Sequence, residues 1–186
     1  TVEYVQSYNG GDDGIEFFGG TVNGKYLVST NSEDDGIDFA DGWQGNGEYW
    51  YISGAAKAGI EGSNNGDNSG VTPLTTTTLS NITVVGPVTE GGLYFKEGGG
   101  KFTINNFYTK GINLGVKVKD TDTDAANRIE AGDLKITNIQ FDAPVDGYKT
   151  TDYTGATQNF ITVGENTGAG NSAAAPAWTA GWTKGL

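Results

Sequence analysis

The sequence predicts an all-β solenoid, a right-handed parallel β-helix of about six rungs, and three observations carry that expectation. The first is a repeat. Residues 2–20 read VEYVQSYNGGDDGIEFFGG and residues 24–42 read GKYLVSTNSEDDGIDFADG. The two align without a gap at an offset of roughly 22 residues, a solenoid period. Tyr4 falls on Tyr26, Asp12 and Asp13 on Asp34 and Asp35, Gly14 on Gly36, Ile15 on Ile37, Glu16 on Asp38, and Phe17 on Phe39. A repeat this short cannot enclose a core alone, so copies must stack. The second observation is glycine, 31 of 186 residues, among many Thr and Asn, which suits a turn-dense β protein. The third is the lack of long runs of helix formers.

The elements follow in order. Val2-Glu3-Tyr4-Val5 opens the first rung, and inward Ile15, Phe17, Ile37 and Phe39 begin ladders through the core, with Glu16 and Asp38 facing outward. Tyr49-Trp50-Tyr51-Ile52 is a strand, and Ala58-Gly59-Ile60-Glu61-Gly62 is a weaker third echo of the repeat. From about residue 62 to 78 the chain is polar and rich in Gly and Thr, which predicts a long loop leaving the stack. Strands resume at 79–85, 101–107 and 134–141, each alternating apolar and polar residues, with Ile82, Val84 and Ile104 inward. Residues 91–95 and 112–118 read as second strands of the same rungs. Periodicity fades after Gly147. Residues 164–186 form a low-complexity tail whose Trp178 and Trp182 are expected to cap the last rung. The whole chain reads as one β-helix domain, expected to be the C-terminal part of a longer protein whose first rung must be covered by something.

Composition excludes several functions. Cys and His are absent, which removes disulfides, thiolate metal sites and a Ser-His-Asp triad. The net charge is -12 with no basic cluster, which argues against nucleic acid and anionic membrane surfaces as partners. No apolar stretch reaches membrane-spanning length, so no membrane insertion is expected.

The wording EYVQ, then DDGIEFFGGTVN and DDGID followed by GWQG, resembles a group of secreted bacterial right-handed parallel β-helix proteins of the pectin-lyase-like superfold. The closing Trp-Thr-Ala-Gly-Trp-Thr is similar to that group's ending. The resemblance implies the fold and a secreted or cell-surface location, and no settled activity. The acidic motifs are also similar to those of polygalacturonase-type hydrolases, which place Asp residues on successive rungs. That pattern further asks for a His-Gly rung and an Arg-x-Lys rung. Here the third rung reads Ala58-Gly59-Ile60-Glu61, no His exists, and Arg128, the lone Arg, sits in a stretch read as a polar loop. No catalytic residue is assigned.

Stacked rungs lie about 4.8 Å apart, which sets Asp12 over Asp34 and Asp13 over Asp35. Such carboxylates repel by about 1 kcal/mol in water and about 3.5 kcal/mol at an effective dielectric of 20. Three things could offset this: hydrogen bonds from the following Gly amides, a Ca²⁺ ion, or a raised pKa on one partner. A second acidic run, Asp120, Asp122 and Asp124 with Glu130 after it, has the one-three-five spacing of a calcium loop but lacks its glycine; a solvated loop is the plainer reading. Trp43, Tyr49, Trp50 and Tyr51 either stack on sugar rings from an exposed face or pack beneath the long loop. The function expected is structural or adhesive, at a bacterial surface or matrix, without enzymatic activity. Its partners would be further copies stacked end to end, or an upstream part of the same protein. The alternative is a polysaccharide-binding or polysaccharide-active β-helix, hydrolase- or lyase-like, that uses the Asp ladder.

Overall fold

A computed structural model describes residues 1–119 and 123–186. Two parallel sheets face each other across one core. Seven strands form the longer sheet: β1 (Val2–Tyr8), β3 (Gly24–Thr30), β5 (Gly47–Ser53), β7 (Thr76–Val85), β9 (Lys101–Lys110), β11 (Leu134–Asp142) and β13 (Ile161–Val163). Six form the other: β2 (Ile15–Phe18), β4 (Ile37–Ala40), β6 (Ala58–Ser63), β8 (Gly91–Lys96), β10 (Leu114–Val118) and β12 (Lys149–Thr151). Each strand from β1 to β12 is followed by one in the opposite sheet, and the strands within each sheet pair in parallel. The chain therefore winds as a parallel β-helix.

The doubled motif sets the register. Ile15 pairs with Ile37, Ile37 with Ile60, Ile60 with Leu93 and Leu93 with Val116, an aliphatic ladder through the core. A second ladder runs Leu27, Trp50, Ile82, Phe107 and Ile139. Ile37, Phe39, Ile82, Val84 and Ile104 are fully buried; Ile15 and Phe17, in the end rung, pack against the core half-buried.

Strand alternation is broken at one column. Tyr4, Tyr26, Tyr49, Asn81, Asn106 and Asn138 occupy equivalent positions in the longer sheet and all have φ between 55° and 62°. Each strand bends there. Side chains then stack along the column: Tyr4 on Tyr26 at 4.8 Å, Tyr26 on Tyr49 at 5.3 Å, and Asn106 Nδ2 donating to Asn81 Oδ1 at 3.0 Å. Asn enters this conformation readily because its short amide bonds locally; Tyr does so rarely.

Three expectations are corrected. The long loop spans residues 64–75 rather than 62–78, because Ser63 ends β6 and Thr76 starts β7. It is tied back by buried Asn64, which donates to Ser69 O and Val71 O and accepts from Thr75 N. Arg128 and Asp124 lie not in a loop but on helix α1 (Thr123–Glu130), which buries Ala125 and Ile129. The Trp tail does not sit on the last rung. It runs back over the outer face of the longer sheet toward its first strand. Ser172 O accepts from Thr83 Oγ1 and Ala173 O from the Tyr51 hydroxyl, Trp178 meets Tyr26, and Trp182 packs edge-on to Tyr4. At its end Lys184 and Gln6 exchange two hydrogen bonds. The outward Val28, Tyr51 and Thr83 lie buried where the tail passes, with Ala169, Trp178 and Trp182 packed in the same cluster as Val28 and Tyr51.

Candidate functional site

Outward residues of β2, β4 and β6 set three carboxylates in register, Glu16 beside Asp38 and Asp38 beside Glu61. The turns leading into β2 and β4 bring Asp12, Asp13, Asp34 and Asp35 to the same face. Glu16 faces solvent, whereas Asp38 and Glu61 are each only 7% exposed. The expectation that Asp38 simply faces water is therefore corrected. Its neighbours on the adjoining rungs and the 64–75 loop cover it, and a groove of about 280 Å³ beside it is lined by Glu16, Asp38, Glu61, Asp67 and Glu97.

The doubled Asp pairs are each held differently. Asp13 Oδ1 accepts the backbone N–H of Asp35 at 2.9 Å, one rung on. Asp35 Oδ1 accepts the N–H of Ala58 in the rung after that. The glycine amides that follow go instead to carbonyls of the next rung, Gly14 N to Asp35 O and Gly36 N to Ala58 O. Turn scaffolding by Asp is thus a rung-to-rung bond rather than a bond within one turn. Asp34 is neutralised by Lys57, with Nζ 2.7 Å from Oδ2. Lys57 occupies the Asp34 position of the third rung, so the departure from the repeat supplies its counter-charge. Lys96 reaches Glu61 at 2.7 Å and Glu97 at 3.5 Å.

Burial and crowding raise the acids' pKa values. Burial, then the charges of Glu61, Asp13 and Glu16, pushes Asp38 up to about 9. Burial and a hydrogen bond with Glu61 push Asp35 up against the pull of the Ala58 amide. Asp13 is raised by burial, partly offset by the Asp35 amide, and Glu16 by burial and the charges of Asp13 and Asp12. Lys96 stays protonated because Glu61 outweighs the burial that would lower it. Removing that ammonium leaves Glu61 buried without its counter-charge. Lys96→Met is expected to lower stability by about 2–3 kcal/mol in urea unfolding, and adding Glu61→Gln to restore most of it.

The other expected sites are not brought to this face. Trp43 and Trp50 are fully buried and stack within the core, Trp43 on Phe17 at 4.8 Å; their indole N–H groups donate to Val22 O and Gly24 O. Neither offers a ring to a sugar. They also lie inside the β-helix rather than beneath the loop. Tyr49 is half-buried in the tyrosine column of the longer sheet. Asp124 lies in the first turn of α1, and Asp120 and Asp122 fall outside the described residues. Glu61, Lys96 and Glu97 were not singled out from sequence, although carrying the repeat offset one rung further puts Glu61 in line with Glu16 and Asp38.

Neither the curated proteins nor the solved structures yield a match to the chain. A family model does, over residues 1–183, and its description agrees with two parallel sheets wound as one solenoid. The chain belongs to the pectate-lyase-like β-helix domain family.

Proposed function

We propose that this β-helix is a non-catalytic structural and adhesive module of the extracellular surface or matrix, joined end to end with further copies of itself. The supporting observation is the use made of the doubled acidic motif. Asp13 and Asp35 each spend an oxygen on a backbone amide of the next rung, so the most regular carboxylates of the chain serve stacking. Among the described residues β1 pairs with β3 alone and β2 with β4 alone, so these two are the end strands of their sheets. That edge carries Tyr4 and Phe18, 51% and 67% exposed, beside half-exposed Val2 and Val5. The opposite end of the longer sheet is also an edge strand, β13, which pairs in parallel with β11 on one side, with Val163 65% exposed. Two unlike parallel edges suit head-to-tail contacts, which grow open filaments when they do not close. The net charge of -12 suits an outside medium rich in salt and divalent ions.

Sedimentation across a wide concentration range, with electron microscopy of the same samples, tests this reading. Concentration-dependent end-to-end oligomers are expected, and Val5→Lys should suppress them by placing a charge on the edge. A monomer at every concentration overturns the assembly. Release of reducing ends from acidic glycans, lost in Asp38→Asn, overturns the non-catalytic reading.

A further inference from the structure

We propose that the tail, residues 164–186, is a longitudinal clamp that holds the first rung closed, and that one outward column of the longer sheet is the track built to receive it. This does not depend on end-to-end assembly. Strand register sets Gln6, Val28, Tyr51, Thr83, Tyr108 and Gln140 in one column, a residue each from β1, β3, β5, β7, β9 and β11. They follow the inward ladder of Leu27, Trp50, Ile82, Phe107 and Ile139, so they point away from the core. Yet Val28 and Thr83 are 0% exposed, Tyr108 3% and Tyr51 4%. The tail is what covers them.

Every member of the column meets it. Gln140 Oε1 accepts the Asn166 amide at 2.6 Å. Gly168 lies so near β7 and β9 that a Cβ there would stand 2.2 Å from Thr83 Oγ1 and 2.6 Å from Tyr108 Cβ. Thr83 Oγ1 accepts from Ala169 N and donates to Ser172 O, and the Tyr51 hydroxyl donates to Ala173 O. Val28 shares an apolar cluster with Ala169, against which Trp178 and Trp182 pack. Gln6 exchanges its two hydrogen bonds with Lys184, which is 178 residues away in the chain.

The tail is also built as one stiff body. The Trp178 indole donates to Ala169 O, the Trp182 indole donates to Trp178 O, and the two rings stack at 6.2 Å. The hydroxyls of Thr179 and Thr183 donate to Pro176 O and Thr179 O. An unbroken line of contacts therefore runs from Thr83 through Ala169, Trp178 and Trp182 to Tyr4. In a solenoid each rung touches only its neighbours, so an end rung can open at little cost to the rest. Strand β1 stands in that position: among the described residues it pairs with β3 alone, and its Val2 and Val5 are each 40% exposed. The clamp ties this strand to the middle of the stack. It also fixes the order of opening, the tail before the first rung.

Native-state hydrogen exchange of the full chain, read residue by residue by NMR at a concentration where sedimentation shows a monomer, tests the clamp. Trp178→Ala and Trp182→Ala should each speed exchange of the amides that bond β1 to β3 at least about tenfold. Amides between β9 and β11 should stay within about threefold of the parent. Trp178 meets Tyr26 and Trp182 but makes no ring contact with β1, so its effect on β1 has to pass through the tail. Circular dichroism checks folding. Should both tryptophan variants fail to fold, Tyr51→Phe carries the test, since it removes only the hydroxyl bonded to Ala173 O. It should speed the β1 amides by about three- to tenfold, the worth of one hydrogen bond. Exchange of the β1 amides within about threefold of the parent in both folded tryptophan variants, or unchanged in Tyr51→Phe where that carries the test, overturns the proposal. Equal acceleration at β1 and at β9 also overturns it, because the tail would then add general stability rather than hold one rung.

Discussion

Gly36→Ala is expected to cost more than about 3 kcal/mol of stability, enough to unfold much of the population in a domain of ordinary margin. A Cβ at Gly36 would lie 2.3 Å from Ile52 Cγ2 and 2.5 Å from the carbonyl oxygen of Gly59. The Ile52 methyl is packed in the core and the carbonyl belongs to the next rung, so neither can move without parting the stack. Gly36 belongs to a column. Gly14, Gly36, Gly59, Gly92 and Gly115 each precede the inward residue of successive strands in the shorter sheet, and a Cβ at any of them would meet a carbonyl of the following rung at 3.0 Å or less. None of the five has positive φ. Glycine is required here for close approach of one backbone to the next, not for an unusual backbone angle. Gly11→Ala is the control, since a Cβ there meets nothing within 4 Å. Urea unfolding of the two variants decides the matter; a Gly36→Ala chain within about 1 kcal/mol of the parent would mean that the rungs are looser than this column requires.

That column shows how much of the fold was legible. Gly-Ile, Gly-Ile, Gly-Ile, Gly-Leu and Gly-Val stand at the head of successive strands, and the period of the first two copies was enough to predict stacking. The bend at Tyr4, Tyr26 and Tyr49 was not legible, because tyrosine has no local preference for positive φ and is held there by neighbours stacked above and below. Asn81, Asn106 and Asn138 carried the signal, but it was masked by the alternation of the strands around them. The two core tryptophans could have been placed inside from their glycines: a Cβ at Gly45 would strike the Trp43 ring and one at Gly47 the Trp50 ring. The path of the tail was out of reach, since a pair of Trp residues says that they pack and not on which surface.

For the candidate site, the acidic pairs were legible and their chemistry was not. Asp12, Asp13, Asp34 and Asp35 are equivalent in the repeat, yet Asp34 meets an ammonium, while Asp13 and Asp35 each hold a backbone amide one rung on. What separates them is the third rung, where Lys57 and Ala58 replace the two acids. A repeat read for its regularity discards the rung that breaks it.

The second large effect concerns pH. In chelator, the protein is expected to be more stable at pH 5 than at pH 8, and Asp38→Asn to flatten that dependence. Asp38 titrates near 9 in the folded chain and near its ordinary value of 3.8 when unfolded. The folded state therefore binds the extra proton between these values, and stability falls as pH rises through that window. The slope for this one group approaches about 1.4 kcal/mol per pH unit, so the loss from pH 5 to pH 8 is on the order of a few kcal/mol. Asp13, Glu16 and Asp35 are raised as well and act in the same direction. The groups facing Asp38 are Glu61, Asp13, Glu16 and Asp35, all acidic, and the nearby Lys96 is engaged by Glu61 and Glu97. Two carboxylates oppose this on the acid side. Tyr153 and Thr157 hold Glu130 at about 2, and the Tyr108 hydroxyl lowers Asp142; their contributions are lost as pH falls below about 4.5. Stability should thus peak near pH 5, at the low end of the usual range. Asn at position 38 keeps the shape without the charge, so the variant should match the parent at pH 5 and exceed it at pH 8. Urea midpoints measured across this range decide it. A parent chain that gains stability from pH 5 to pH 8 in chelator would mean that the carboxylates of this face are solvated rather than crowded.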